Sequence, residues 1–146
     1  MDTRAFQKQV ATLLGISDKE MHPLSFEKQQ QLYQVAFDLY EKEEYRGASQ
    51  LFTQLILTDP FSEDYWLGLA SSKQMARDYQ AALQAWGLVA LLKEGDPLPH
   101  FHAAECLLYL EDKHEALKAL DASLDLCKEE TLKEKINQLK TVYYGH

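Results

Sequence analysis

The stretch "YQAALQAW", at Tyr79–Trp86, sets small alanines beside the largest side chain available. The stretch "YRGASQLF", at 45–52, repeats this arrangement 34 residues earlier. A small residue lets two helices approach closely, and a bulky residue one turn further along fills the adjacent hole. The two stretches therefore predict a helical repeat rather than a ligand site around the tryptophan.

A third copy follows at the same offset without a gap. The aligned small residues are Ala48, Ala82 and Ala116, and the aligned bulky residues are Phe52, Trp86 and Leu120. A period of 34 with W-x2-L-G, A-x3-F and proline landmarks is typical of the tetratricopeptide repeat, in which each copy is a pair of antiparallel helices. The copies span about 29–62, 63–96 and 97–130, and all six aligned residues are predicted to lie in the core.

The helix ends follow from capping residues. Ser25 and Ser62 are predicted N-caps of the first helices of copies one and two. Asp96 followed by Pro97 gives the same helix of copy three a cap and a proline at its first position. Thr131-x-x-Glu134 matches a capping box for a last helix over about 131–143.

An amphipathic helix precedes the array, with Phe6, Val10, Leu13 and Leu14 at spacings of three and four and with Gly15 at its end. The sequence thus predicts eight helices in an all-α solenoid. Its parts are an N-terminal helix and linker (1–24), three repeats (25–130) and a C-terminal capping helix (131–146).

The composition of the chain limits the classes of partner that we expect it to bind. The 146 residues carry a net charge of −8, which disfavours nucleic acids and acidic membranes as partners. The apolar run "WGLVALL" is far too short to span a bilayer, and no secretory apolar core follows the N-terminal charges. We expect a cytoplasmic protein that does not insert into membranes.

Nothing in the sequence supports catalysis. The two cysteines, Cys106 and Cys127, form no CxxC motif and are predicted to be buried free thiols. His102 lies four residues before Cys106 on one helix face, but a cysteine within "AAECLL" is expected to be buried and inert. We therefore predict no catalytic residue, no metal site and no cofactor. An enzyme with an unrecognised site is the alternative, and a Cys106 thiolate at neutral pH would favour it.

A binding surface is predicted on the first helices of the pairs, which line the concave face of such arrays. The groove-facing positions are the fifth, ninth and twelfth of each copy: Tyr33, Phe37 and Tyr40, then Leu67, Ser71 and Gln74, then Phe101, Glu105 and Leu108. The first three form an aromatic stripe, although Leu32, Val35, Ala36 and Leu39 already supply a core face to the same helix. The stripe would then fit an extended peptide with apolar anchors. The alternative is that the leading or trailing helix covers the stripe as core.

Longer stretches carry a family resemblance. "DPFSEDYWLGLA" and "FHAAECLL", within a match over about 25–125, resemble the bacterial type III secretion chaperones of translocator proteins. These are the class II chaperones, or low-calcium-response protein H family. The resemblance implies a bacterial cytoplasmic chaperone that keeps hydrophobic translocators soluble and secretion-competent, with no cofactor.

The resemblance also implies residue roles. A short translocator segment with a proline–leucine–proline pattern would lie in the groove at the positions given above, and Tyr45 would add to the rim. The leading helix would contact a second subunit in an unliganded homodimer, through Phe6, Val10 and Leu14.

Another interaction protein is the competing interpretation. A repeat module that binds acidic C-termini needs Lys, Arg or Asn on the groove face, but Tyr33, Phe37, Gly68, Leu98 and His102 occupy those positions. A generic tetratricopeptide adaptor that binds another protein's peptide segment is therefore the runner-up.

The repeat alignment has a direct test. Ala82→Leu should overpack a helix crossing and lower the free energy of unfolding by about 1–3 kcal/mol, measured by chemical denaturation. An unchanged unfolding free energy would show that Ala82 does not lie at a crossing.

Overall fold

The computed structural model describes residues 3–15 and 24–145, and every regular element in these ranges is an α-helix. The helices are α1 (Thr3–Leu13), α2 (Phe26–Glu41), α3 (Tyr45–Thr58), α4 (Glu63–Met75), α5 (Tyr79–Leu92), α6 (Pro97–Tyr109), α7 (Lys113–Leu126) and α8 (Glu130–Tyr144). The prediction of eight helices is confirmed for the described part of the chain. Most of the predicted linker before α2 lies outside the described residues.

The helices fall into two compact units, Met1–Ala76 and Arg77–His146. In the first unit α3 packs against both α2 and α4, and α1 lies on α3. In the second unit α6 packs against both α5 and α7, and α8 lies on α7. The boundary falls between the two helices of the predicted second repeat, and the division into three repeats stays a prediction.

The small and bulky positions of the repeat are buried as predicted. Ala48, Ala82 and Ala116 are each 0% exposed, and the bulky residues Phe52, Trp86 and Leu120 are 3% exposed or less. The buried indole of Trp66 donates its Nε1 hydrogen to the carbonyl oxygen of Pro60 at 2.8 Å. That bond ties the turn before α4 to the helix itself.

Capping explains where the helices start. The side chains of Ser25, Ser62 and Asp96 accept hydrogen bonds from backbone N–H groups in the first turns of α2, α4 and α6, as predicted. Asp78 and Asp112 cap α5 and α7 in the same way, which the sequence analysis did not predict.

Two local predictions are wrong. Thr131 does not open a capping box, because α8 starts one residue earlier with Glu129 at its N-cap position and no side-chain cap. Val35, predicted to belong to the core face of α2, is 47% exposed. The buried stripe of that helix is narrower than the periodicity suggested, since Ala36 is its only fully buried residue.

The turn that joins the helices of a pair also repeats every 34 residues. Glu43, Arg77 and Glu111 have φ angles of 63°, 65° and 62°, in the left-handed region that non-glycine residues rarely adopt. After α2 and α6 the flanking N–H groups donate to Leu39, Tyr40, Leu107 and Leu108 carbonyl oxygens, the hydrogen-bond pattern of a Schellman motif. Backbone carbonyl groups at these helix ends therefore accept hydrogen bonds, and each turn holds one residue in a strained conformation.

Replacing such a residue by glycine should stabilise the protein. Glu111→Gly is expected to raise the free energy of unfolding by about 0.5–1 kcal/mol, because glycine has no Cβ to oppose a positive φ. Chemical denaturation monitored by circular dichroism measures the change.

The matched control is Glu134→Gly, which places the same substitution inside α8. It should lower the free energy of unfolding by about 1 kcal/mol. Equal losses in the two variants would contradict the role assigned to the turn.

Candidate functional site

Residues of α2 and α4 line an apolar pocket in the first unit. Its volume is about 140 Å³. We call it the anchor pocket, and its walls are Tyr33, Phe37, Tyr40, Phe52, Asp64, Leu67, Gly68 and Ser71. Five of the predicted groove residues therefore lie together: the aromatic stripe of α2, together with Leu67 and Ser71 of α4.

At the base of the anchor pocket, the Phe52 ring of α3 lies very close to the backbone of α4 at Gly68. A Cβ atom built on Gly68 would lie 2.3 Å from the Phe52 ring, far inside van der Waals contact. The absence of a side chain at Gly68 thus lets the ring of α3 reach the backbone of α4. Phe52, predicted as a core plug only, is both 2% exposed and part of the pocket wall.

Aromatic contacts hold the two tyrosines of the stripe in place. The Tyr33 ring meets Phe52 edge-on at 6.0 Å between centroids, and Tyr40 meets Tyr45 edge-on at 5.4 Å. Tyr45 therefore lies beside the stripe, and its role at the rim stays a prediction. Burial, followed by nearby acidic charge, raises the pKa of Tyr33, so its hydroxyl is neutral at physiological pH.

The stripe itself is only partly covered. Phe37 is 45% exposed and Leu67 is 37% exposed, whereas Tyr33 and Tyr40 are half-buried. Large apolar side chains that remain accessible around a concave pocket are typical of peptide-binding surfaces.

The predicted positions in the second unit behave differently. Phe101 is 7% exposed and belongs to the same buried cluster as Leu132 and Ile136 of α8. The expectation that Phe101 is accessible in a groove is wrong for this structure, because its side chain is buried in a cluster built from α6, α7 and α8. The alternative stated for the aromatic stripe, cover by a terminal helix, thus applies to α6 and not to α2.

Glu105 and Leu108 of α6 are half-buried, as is Gln74 at the end of α4. The Glu105 carboxylate lies 2.6 Å from Nδ1 of His102, whose ring stacks on Trp86 at 4.6 Å. The structure thus gives His102 a packing and hydrogen-bonding role.

The cysteines offer no reactive group. Cys106 and Cys127 are free and buried. Burial raises the pKa of the Cys106 thiol to about 12, so it is protonated at neutral pH. Within the described ranges no three His, Cys, Asp or Glu side chains lie together as a metal site would require.

Two of the three residues assigned to a dimer contact have partners within the chain. The Phe6 ring stacks on Phe61 at 4.7 Å, and Val10 is 2% exposed. Leu14 is half-buried at the end of α1. In this structure α1 therefore lies against its own unit through the face that was assigned to a partner.

The paired helices and their repeated landmarks define a helix-repeat protein of the tetratricopeptide type. No protein-family model matches the chain. Low calcium response locus protein H of Yersinia pestis is 29% identical over 132 residues, which cover 89% of this chain and 79% of the relative.

Solved structures extend the similarity. PcrH, from Pseudomonas aeruginosa, has been solved in complex with the chaperone binding region of PopD. It is 30% identical to this chain, with a TM-score of 0.72, and the match covers 80% of this chain and 90% of PcrH. The Yersinia enterocolitica type III secretion chaperone SycD, in complex with a peptide of the translocator YopD, is 28% identical. Its TM-score is 0.72, and the match covers 78% of this chain and 90% of SycD. SycD has also been solved as an alternative dimer.

The chain belongs to the family of type III secretion translocator chaperones, as the sequence resemblance implied.

The contact between Phe52 and Gly68 makes a testable prediction. Gly68→Ala should lower the free energy of unfolding by about 1–3 kcal/mol, because the added methyl group overlaps the ring. Differential scanning calorimetry of the two purified proteins measures the loss.

Gly87 provides the control, since a Cβ at this helical glycine meets nothing within 4 Å. Gly87→Ala should instead raise the free energy of unfolding by about 0.5–1 kcal/mol, because alanine has the higher helix propensity. Stabilisation by both substitutions would contradict the close approach at Gly68.

Proposed function

We propose that this protein is a cytoplasmic bacterial chaperone that binds an extended segment of hydrophobic type III translocator proteins. Binding would keep the translocator unassembled and ready for secretion. The observation that carries the proposal is the anchor pocket, in which α2 and α4 assemble accessible aromatic and aliphatic side chains. Membership of the translocator chaperone family supports the same function, because PcrH and SycD each have a structure with such a segment bound.

The chemistry of the pocket fits the segment expected from the resemblance. A volume of about 140 Å³ admits one leucine or proline side chain. Burying such a side chain contributes roughly 1.5–3 kcal/mol, so tight binding needs several anchors along the segment. An extended peptide supplies them at regular intervals without forming structure of its own.

The proposal includes no reaction. The Cys106 thiol is protonated at neutral pH, no metal-type cluster occurs among the described residues, and SycD is a chaperone. Release of the segment would then depend on partners rather than on hydrolysis. No helix within 3–15 or 24–145 is long and apolar enough to cross a bilayer.

A homodimer is proposed for the unliganded protein, as expected from the family. SycD supports this, since it has been solved as a dimer. If α1 forms the contact, Phe6 and Val10 would have to leave Phe61 and the rest of the first unit, so dimerisation would compete with the intrachain position of α1.

A generic tetratricopeptide adaptor is the second candidate. It would use the same anchor pocket for a segment of a protein unrelated to secretion. Mass spectrometry of proteins that co-purify with this chain from its native bacterium separates the two, since only the chaperone should carry translocators.

Substitutions in the pocket test the function directly. Phe37→Glu should reduce capture of the co-expressed translocator at least tenfold, because a charge replaces a partly buried apolar contact. The helical circular dichroism spectrum should not change, and Tyr40→Ala should act in the same direction.

Val142→Glu is the matched control, because this side chain is 75% exposed on α8 in the other unit. It should leave capture unchanged. Loss of helicity in Phe37→Glu would show that the stripe is core, and undiminished capture by a folded variant would overturn the pocket assignment.

A further inference from the structure

A second pocket adjoins the anchor pocket in the first unit. We call it the flanking pocket. It lies between the N-terminal halves of α2 and α4 and has a volume of about 620 Å³. The residues used below are Gln29, Gln30, Tyr33, Asp59, Asp64 and Tyr65. Tyr33 is the one predicted groove position that lines this pocket, so the apolar segment proposed above leaves most of its lining unassigned.

The two pockets share a wall. Tyr33 and Asp64 line both, so a side chain in one pocket lies directly beside a side chain in the other. In an extended peptide, side chains on one face recur every second residue, about 6.5–7 Å apart. A segment anchored in the apolar pocket would therefore present a residue two positions away to the flanking pocket.

The charged residues that line the flanking pocket are acidic. Asp59 and Asp64 contribute carboxylates, and none of the described residues that line it is Lys or Arg. The negative field reaches the aromatic wall. Burial raises the pKa of Tyr33 and Tyr65; the charge of Asp64 raises the pKa of Tyr33 further, and the charges of Asp59 and then Asp64 raise the pKa of Tyr65. A carboxylate ligand would be repelled here, and a cation would be attracted.

The aromatic wall suits a cation as well. The Tyr33 and Tyr65 rings lie 5.7 Å apart, and the Tyr65 hydroxyl donates to Oε1 of Gln29 at 3.2 Å. Ammonium and guanidinium groups bind at tyrosine rings, and guanidinium also pairs with carboxylate and amide oxygens. Gln30 adds another amide to the same wall.

We propose that the flanking pocket binds a basic side chain of the captured segment, arginine or lysine, two residues from the side chain in the anchor pocket. This inference rests on the proposed function and deepens it. It assigns Asp64 as a specificity-determining residue, since Asp64 is the carboxylate that both pockets share.

The test uses synthetic probes and the purified full chain. The parent probe is a fluorescein-labelled peptide with a proline–leucine–proline pattern and alanine at all other positions. Arginine, and separately glutamate, replaces each alanine in turn, and fluorescence anisotropy gives the dissociation constants. Arginine two residues from an anchor should tighten binding about threefold to tenfold, and glutamate there should weaken it.

Two variants locate the effect. Asp64→Asn should remove most of the gain from arginine, measured as the ratio of the dissociation constants of the parent and arginine peptides within the same variant. Glu63→Gln removes the same charge from the same helical turn without lining either pocket, and it should keep the gain. The gain in the wild-type protein should also shrink as salt is raised.

The outcomes are distinguishable. If the parent peptide binds but arginine gives no gain at any position, or if the gain survives in Asp64→Asn, the flanking-pocket assignment is overturned and the proposed function stands. If the parent peptide does not bind, the proposed function fails, and the basic-side-chain assignment fails with it.

Discussion

The packing of the Phe52 ring on the bare backbone of Gly68 is the contact on which the first unit depends. A Cβ at Gly68 would meet the ring at 2.3 Å, so α3 and α4 can take this spacing only with glycine there. The same ring forms the base on which Tyr33 sits edge-on and closes the inner side of the anchor pocket. One contact therefore serves both the stability of the unit and the shape of the anchor pocket.

The distribution of apolar residues on α2 follows from this arrangement. One face of the helix is buried through Ala36, and the neighbouring stripe keeps Phe37 accessible. Two apolar faces on one helix would be costly in a protein that acts alone, because exposed aromatic surface promotes association. In the proposed function the second face is the capture surface, and its exposure is what makes capture possible.

Much of the fold could be predicted from the sequence because the signals are local or repeated. The spacing of Ala48, Ala82 and Ala116 identified buried crossings, and Ser25, Ser62 and Asp96 identified helix starts; the structure confirms both. The anchor pocket was partly predicted, since helical spacing brings Tyr33, Phe37 and Tyr40 onto one face. Asp64 was missed, and so was the close approach of Gly68 to Phe52, because both depend on how α4 packs on its neighbours.

The errors have the same origin. Phe101 holds the position in its copy that Tyr33 holds in the first, and periodicity alone treats the two alike. Tertiary packing makes Phe101 part of a buried cluster that includes Leu132 and Ile136 of α8, while Tyr33 lines a pocket. The dimer contact assigned to α1 stays a prediction; in this structure the apolar face of α1 lies within its own chain, where Val10 is buried. Sequence patterns predict which face of a helix is apolar; tertiary packing decides what covers it.

Site-specific photocrosslinking tests the central claim most directly. A photoreactive phenylalanine analogue at position 37, in protein co-expressed with the translocator, should crosslink to one short extended segment, which mass spectrometry can map. The same analogue at position 142 should give no crosslink to the translocator. Absence of crosslinks at position 37, or equal crosslinking from position 142, would contradict the assignment of the anchor pocket as the capture site.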